Sequence, residues 1–186
     1  MSTEQANAFF LGCGMVERGW AIAQDGQGDD GIGLILRGME VCRSSGSTLE
    51  FPHCWASLAD AYRAAGRVEE ALGAVAEGLK QARETSARFN EAELCRLKGE
   101  LLLMGGGPEA ANAERCFREA VEIARRQSAK SLELRAATSL SRLLQRQGKR
   151  EEARRLLAEV YFWFTEGFDT ADLRDASALV DELTNR

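Results

Sequence analysis

Two prolines in 186 residues leave little to interrupt helices, and a single histidine, His53, excludes a histidine-built metal site or a two-histidine relay. The five cysteines, Cys13, Cys42, Cys54, Cys95 and Cys116, are odd in number, widely spaced and never in a C-x-x-C pair. That pattern fits reduced, mostly buried thiols and excludes a disulfide framework. No apolar run is long enough to cross a bilayer, so no membrane association is expected. The opening Met1-Ser2-Thr3-Glu4-Gln5 has neither the basic start nor the apolar stretch of a secretory leader, and a cytoplasmic location is expected. Net charge is −5, which gives no general attraction for nucleic acid or an anionic membrane.

What is present is a helix-forming composition punctuated by 18 glycines. Four segments share one pattern, small-x3-large-x2-small. They are Gly31/Ile35/Gly38, Ala71/Val75/Gly78, Ala113/Phe117/Ala120 and Ala153/Leu157/Val160, in steps of 40, 42 and 40 residues. On a helix these three positions share a face, where the small residues admit a neighbouring helix and the large one fills the space between. Upstream of each stripe lies a second amphipathic segment. Trp55, Leu58, Ala59 and Tyr62 are its clearest form, matched by Met15/Arg18/Gly19/Ile22, Cys95/Lys98/Gly99/Leu102 and Ala137/Leu140/Ser141/Leu144. Gly26, Gly66 and Gly148 stand five residues before their stripes and end the first helix of each pair; Pro108 takes that place in the third unit.

These residues resemble the tetratricopeptide repeat (TPR), whose signature is W-x2-L-G-x2-Y followed by A-x3-F-x2-A. The second unit carries the first half of it and the third unit the second half. Steps of 40–42 exceed the usual repeat of about 34, which implies pairs about two turns longer. A wider resemblance extends over nearly the whole chain and is carried by four stretches, 18–31, 92–102, 116–140 and 163–173. They resemble the C-terminal TPR region of large bacterial proteins that carry class III adenylate or guanylate cyclase and ATPase modules. Neither module is encoded here, so none of that catalytic chemistry transfers and no enzymatic activity is expected.

The resemblance implies an all-α fold, a right-handed α-solenoid of four TPR-like helix pairs plus a capping helix. It would form one domain over 1–186, with repeats near 7–46, 47–86, 87–128 and 129–164. The helices are expected near 7–26 and 28–45, 51–65 and 68–85, 88–104 and 109–127, and 131–147 and 149–163. A ninth is expected at about 170–184, within a capping segment over 168–185, with Asp169 or Thr170 as its N-cap and Leu173, Ala176, Leu179, Val180 and Leu183 on one face. It closes the array.

Other motifs carry little chemistry. Gly26-Gln27-Gly28-Asp29-Asp30-Gly31 satisfies G-x-G-x-x-G, but it follows a helix where a dinucleotide site requires a strand, and its aspartates would repel a pyrophosphate. Gly105-Gly106-Gly107-Pro108 lacks the lysine of a phosphate loop and reads as a stretched turn, the most flexible loop expected in the chain. His53 and Cys54 are adjacent and diverge on a helix, so they read as one surface residue and one packing residue. The acidic pairs Asp29-Asp30, Glu69-Glu70 and Glu151-Glu152 suit first helical turns. No cofactor or metal site is expected.

The charge is uneven: residues 111–160 carry 12 basic and 7 acidic side chains between two acidic flanks. Arg142, Arg146, Lys149, Arg150, Arg154 and Arg155 form either a patch for an acidic partner or a solvated face paired with Glu151, Glu152 and Glu159. Transferring the family's groove positions places Cys13, Val16, Trp20 and Gln24 in the first unit, then His53, Asp60 and Arg63 in the second. Glu93, Arg96 and Glu100 follow in the third, and Arg135, Arg142, Gln145 and Arg146 in the fourth. The Asn and Lys combination that clamps a C-terminal carboxylate in some family members is missing from these positions. The resemblance implies a non-catalytic scaffold that holds a peptide or partner segment in a groove, with a regulatory or sensory role. Small-molecule sensing is an alternative, as is homo-oligomerisation through Phe9, Phe10, Trp163 and Phe164. Trp20 as a mere packing residue also stays open.

Overall fold

A run of helix formers bounded by glycine turns dictates hairpins, and hairpins are what form. The computed structural model describes residues 3–46, 51–85, 87–105 and 110–185. Among them the elements are α1 (Thr3–Gln24), α2 (Gly28–Ser44), α3 (Phe51–Ala64), α4 (Val68–Thr85), α5 (Glu91–Met104), α6 (Ala110–Arg126), α7 (Lys130–Arg146), α8 (Arg150–Tyr161) and α9 (Ala171–Thr184). No strand occurs among the described residues. The fold is an α-solenoid class of TPR-like helix pairs ending in a C-terminal helix. Backbone packing divides it into two compact units, with the boundary inside α5 between Leu97 and Lys98.

Turn chemistry follows the expected glycines. Gly26, Gly66 and Gly148 have positive φ. The following amides reach back to close the helix ends, Gln27 N–H to Ile22 O at 3.2 Å, Arg67 to Tyr62 at 2.9 Å and Lys149 to Leu144 at 2.9 Å. Ser128 makes the same turn after α6 at φ 53°, with Ala129 N–H on Ala124 O at 2.9 Å. Of the Gly105–Pro108 turn, only Gly105 falls within the described residues. The acidic pairs occupy the first turns of α2, α4 and α8.

All twelve stripe residues are buried, from Gly31 to Val160. In the first unit, α1 and α2 meet through reciprocal glycines. A Cβ at position 19 would lie 2.7 Å from Gly31 O and one at 31 would lie 2.5 Å from Gly19 O; positions 12 and 38 repeat this at 2.7 Å each way. No side chain fits, so the two backbones touch. α3 packs on both α1 and α2, and α4 on α3. Trp55 does not bury fully, because its indole N–H keeps the rim position from which it donates to Gln81 Oε1 at 2.9 Å.

In the second unit α6 packs on α7, α7 on α8, and α9 on both α7 and α8. Phe117 fills the space left by Gly99, where a Cβ would lie 2.4 Å from its ring. Ser141 occupies the register of Gly19, and its hydroxyl donates to Ala153 O at 3.0 Å. That carbonyl belongs to the residue in the register of Gly31. Thr170 is the N-cap of α9, but its hydroxyl turns back to donate to Gly167 O at 2.8 Å. The apolar residues expected on α9, from Leu173 to Leu183, are all buried. Arg150 serves its other end, donating to the carbonyls of Glu182, Leu183 and Asn185. No described helix is long and apolar enough to cross a membrane.

Gly19→Ala should lower stability by about 1–3 kcal/mol, since the added methyl would meet the Gly31 carbonyl and the Ile35 amide as well as the buried Ile35 side chain. Gly14→Ala, on the same helix with nothing within 4 Å, should raise it by about 0.5–1 kcal/mol. Chemical denaturation of the two variants beside the parent checks both signs.

Candidate functional site

The first helices of successive repeats carry the predicted partner-binding positions. In the first unit these lie on α1 and α3, with two more at the start of α5. Val16 is completely buried, at the α1–α2 seam beside Gly38, and has no surface to offer a partner. The polar residues nearby are tied to one another. Asp60 is buried and accepts three hydrogen bonds, from Trp20 Nε1 at 2.8 Å, Gln24 Nε2 at 3.1 Å and Arg63 Nε at 2.8 Å. His53 pairs with Glu17, one turn before Trp20. Adjacent to His53, Cys54 is buried, so the surface-and-core division read from their spacing is what forms.

Trp20 keeps 36% of its surface exposed while its N–H is fixed by Asp60. An oriented, partly open indole is the kind of side chain that anchors a partner at low entropic cost. Glu93 and Arg96 are buried and form a bidentate pair at 2.8 and 2.9 Å. Both are thereby committed to each other.

In the second unit the corresponding positions lie on α5 and α7, and α9 supplies partners to those on α7. Glu100 Oε1 accepts from the Ser139 hydroxyl at 2.6 Å. Arg142 pairs with Asp175, Arg135 lies 3.8 Å from Asp172, and Gln145 Nε2 donates to Glu182 Oε1 at 2.9 Å. Arg146 is exposed and has no ion pair among the described residues. Thus α9 meets α7 with an acidic edge, in the relation that α3 has to α1. Asp60 stands 29 residues after Gly31 and Glu182 stands 29 after Ala153, so both acids hold the same register. The partners Asp172, Asp175 and Glu182 were missed by sequence reasoning, although the acidic flank beyond residue 160 carried the signal.

The basic stretch is largely neutralised within the unit. Arg118 binds Glu114 and Glu152, both at 2.8 Å, Arg154 binds Glu151 at 2.8 Å, and Lys149 lies 3.5 Å from Glu114. The most deeply placed pair is on the α6–α7 side. Glu133 is almost wholly buried and accepts from Arg125 and Lys130, each at 2.7 Å. Burial pushes the Glu133 carboxyl up, but the hydrogen bonds and charges of Lys130 and Arg125 together outweigh it and hold its pKa below the usual 4.5.

The glycine cluster borders a hollow of about 340 Å³ in the first unit, lined by Ala23, Gly26, Gly28, Asp29, Ala64, Ala65 and Arg67. Arg67 is engaged there by Glu70 at 2.9 Å and Asp29 at 3.4 Å, and it lies over the Tyr62 ring. A helix precedes the cluster, so the dinucleotide geometry is not built. Among the described residues no group of three or more His, Cys, Asp or Glu side chains is arranged to hold a metal.

Two solved structures of TPR-like repeats from Podosopora anserina, described as a kinesin light chain, share this fold. One, a point variant, superposes with a TM-score of 0.65 and the other with 0.64. Each is 17% identical and aligns 91% of this chain with 83% of its own. At that identity the likeness is one of fold. No protein-family model matches the chain, and no curated protein does.

A depressed folded-state pKa makes the stability from Glu133 complete above the unfolded value, and that stability is lost as pH falls through the folded one. Glu133→Gln should therefore be less stable than the parent at pH 7 and lose less on acidification below 4.5. Urea denaturation across a pH series measures both.

Proposed function

We propose that the chain is a non-catalytic protein-interaction scaffold that holds a peptide or partner segment on the exposed side of its first helices. Its role would be regulatory or sensory, in the manner of the TPR regions of bacterial cyclase/ATPase proteins that its sequence resembles. The observation that carries this reading is Trp20, a partly open indole locked in place by Asp60 on a TPR-like helix pair. His53 and Arg63 flank it with roughly a third or more of each side chain exposed. Such a face recognises by a few rigid anchors and needs little backbone change on binding. In the second unit, Arg146 on α7 offers a separate exposed basic contact suited to an acidic segment.

A second reading is favoured by a specific patch. Phe162, Trp163 and Phe168 follow α8 with 72%, 58% and 47% of their surfaces exposed, stacked edge-on against Tyr161 and Phe164. Lys130 covers one face of Trp163 at 5.6 Å. Aromatic exposure of this kind suits self-association.

A peptide array probed with the parent, with Trp20→Ala and with Arg142→Glu/Arg146→Glu tests the first reading. Trp20→Ala should weaken capture by roughly thirtyfold or more, the size of a lost aromatic anchor. Unchanged binding in both variants would remove the first-helix face from consideration. Light scattering over a dilution series should show a monomer; an oligomer dispersed by Trp163→Ser supports self-association instead.

A further inference from the structure

Cys13 Sγ and Cys42 Sγ face each other at 3.9 Å across the α1–α2 seam. The approach is a consequence of the glycine packing. A Cβ at position 12 would sit 2.5 Å from Cys42 Sγ and 2.8 Å from Cys42 N, so the sulfur of Cys42 occupies the space that Gly12 leaves empty. Cys42 is itself buried, its sulfur 3.7 Å from the carbonyl of Phe9, whereas Cys13 is half-exposed. The pair therefore combines one thiol that solvent reaches with one that it does not. The other three differ in kind: Cys54, Cys95 and Cys116 are all buried, and burial pushes the Cys116 thiol above its ordinary pKa.

We propose that Cys13 and Cys42 are a reversible modification site, at which exchange with a small-molecule disulfide joins α1 to α2 by a disulfide bond. The half-exposed Cys13, as its thiolate, attacks one sulfur of the small disulfide, forming a mixed disulfide and releasing one small thiolate. The Cys42 thiolate then attacks the Cys13 sulfur, forming the Cys13–Cys42 bond and expelling the second small thiolate. The two protons lost by the cysteines end on the two small thiols; the protein is oxidised by two electrons and the small disulfide reduced by two. The sulfurs must close from 3.9 Å to about 2 Å, a displacement within reach of side-chain rotation where helix backbones already touch. The bond clamps α1 beside the exposed Phe10 and Leu11 and ties residues 29 apart in sequence. Thiol reduction reverses it.

The test incubates the full chain with oxidised glutathione, alkylates remaining thiols with iodoacetamide and maps tryptic peptides without reduction. Cleavage after Arg18, Arg37 and Arg43 separates the two cysteines, so a bond between them appears as a cross-linked pair, 1–18 with 38–43, lighter by two hydrogens. A melting temperature raised by oxidation and restored by dithiothreitol is expected alongside. Cys42→Ser should trap glutathione on Cys13, because the second attack is lost, and Cys13→Ser should give neither adduct nor cross-link. Full alkylation of Cys13 after oxidation, a persistent glutathione adduct on Cys13 of the parent, or a cross-link to Cys54, Cys95 or Cys116 would each overturn the assignment.

Discussion

The rest of the structure depends on how closely two helix backbones can approach. Where Gly19 faces Gly31 and Gly12 faces Gly38, each carbonyl occupies the place of the other's missing side chain. The second unit reaches the same register by other means, with Ser141 donating to the carbonyl of Ala153 and Gly99 yielding its side-chain space to Phe117. A small residue is thus required at each seam, while its chemistry is free to vary. The twelve stripe residues stay buried although only their sizes repeat. The same tight seam sets Cys42 against Cys13, so the thiol pair follows from the packing that forms the hairpin.

Small residues join the two helices of the first pair, whereas polar side chains link first helices of successive repeats, α1 to α3 and α7 to α9. Glu17 with His53, and Trp20 and Gln24 with Asp60, do so between α1 and α3. Arg135, Arg142 and Gln145 do so with the acids of α9. The positions that form a ligand groove in the resembled family are here engaged within each unit. Under the proposed function, a partner of the first unit would work with what stays open there, chiefly the Trp20 indole face, and one of the second unit with the exposed Arg146. Either would otherwise have to displace surface ion pairs, which individually contribute only about 0–1 kcal/mol and so present little barrier.

Much of the architecture was legible in the chain. Gly26, Gly66 and Gly148 placed the hairpin turns because a positive φ is inexpensive only for glycine, and the recurring stripes placed the buried faces. Boundaries were less legible. α1 starts at Thr3 rather than near residue 7, since Ala6, Asn7 and Ala8 interrupt nothing, and α8 stops at Tyr161 where Trp163 and Phe164 turn back on Val160 and Tyr161. The site was read in outline only. Register put Val16 among the groove positions, but it faces Gly38 and lies wholly inside; Glu93 and Arg96, also groove positions, are buried against each other.

The sequence by itself determined the helix pairs, their turns and the size pattern of their contacts, because those depend on residues three to seven apart on one helix. Tertiary structure alone decided which charges cancel and which side chains stay open. Asp175 neutralises Arg142 from 33 residues away, Arg150 closes the end of α9 from a different helix, and Cys42 meets Cys13 across a seam. Pairings at that separation depend on the approach distance of two helices, a quantity that spacing along either helix does not contain.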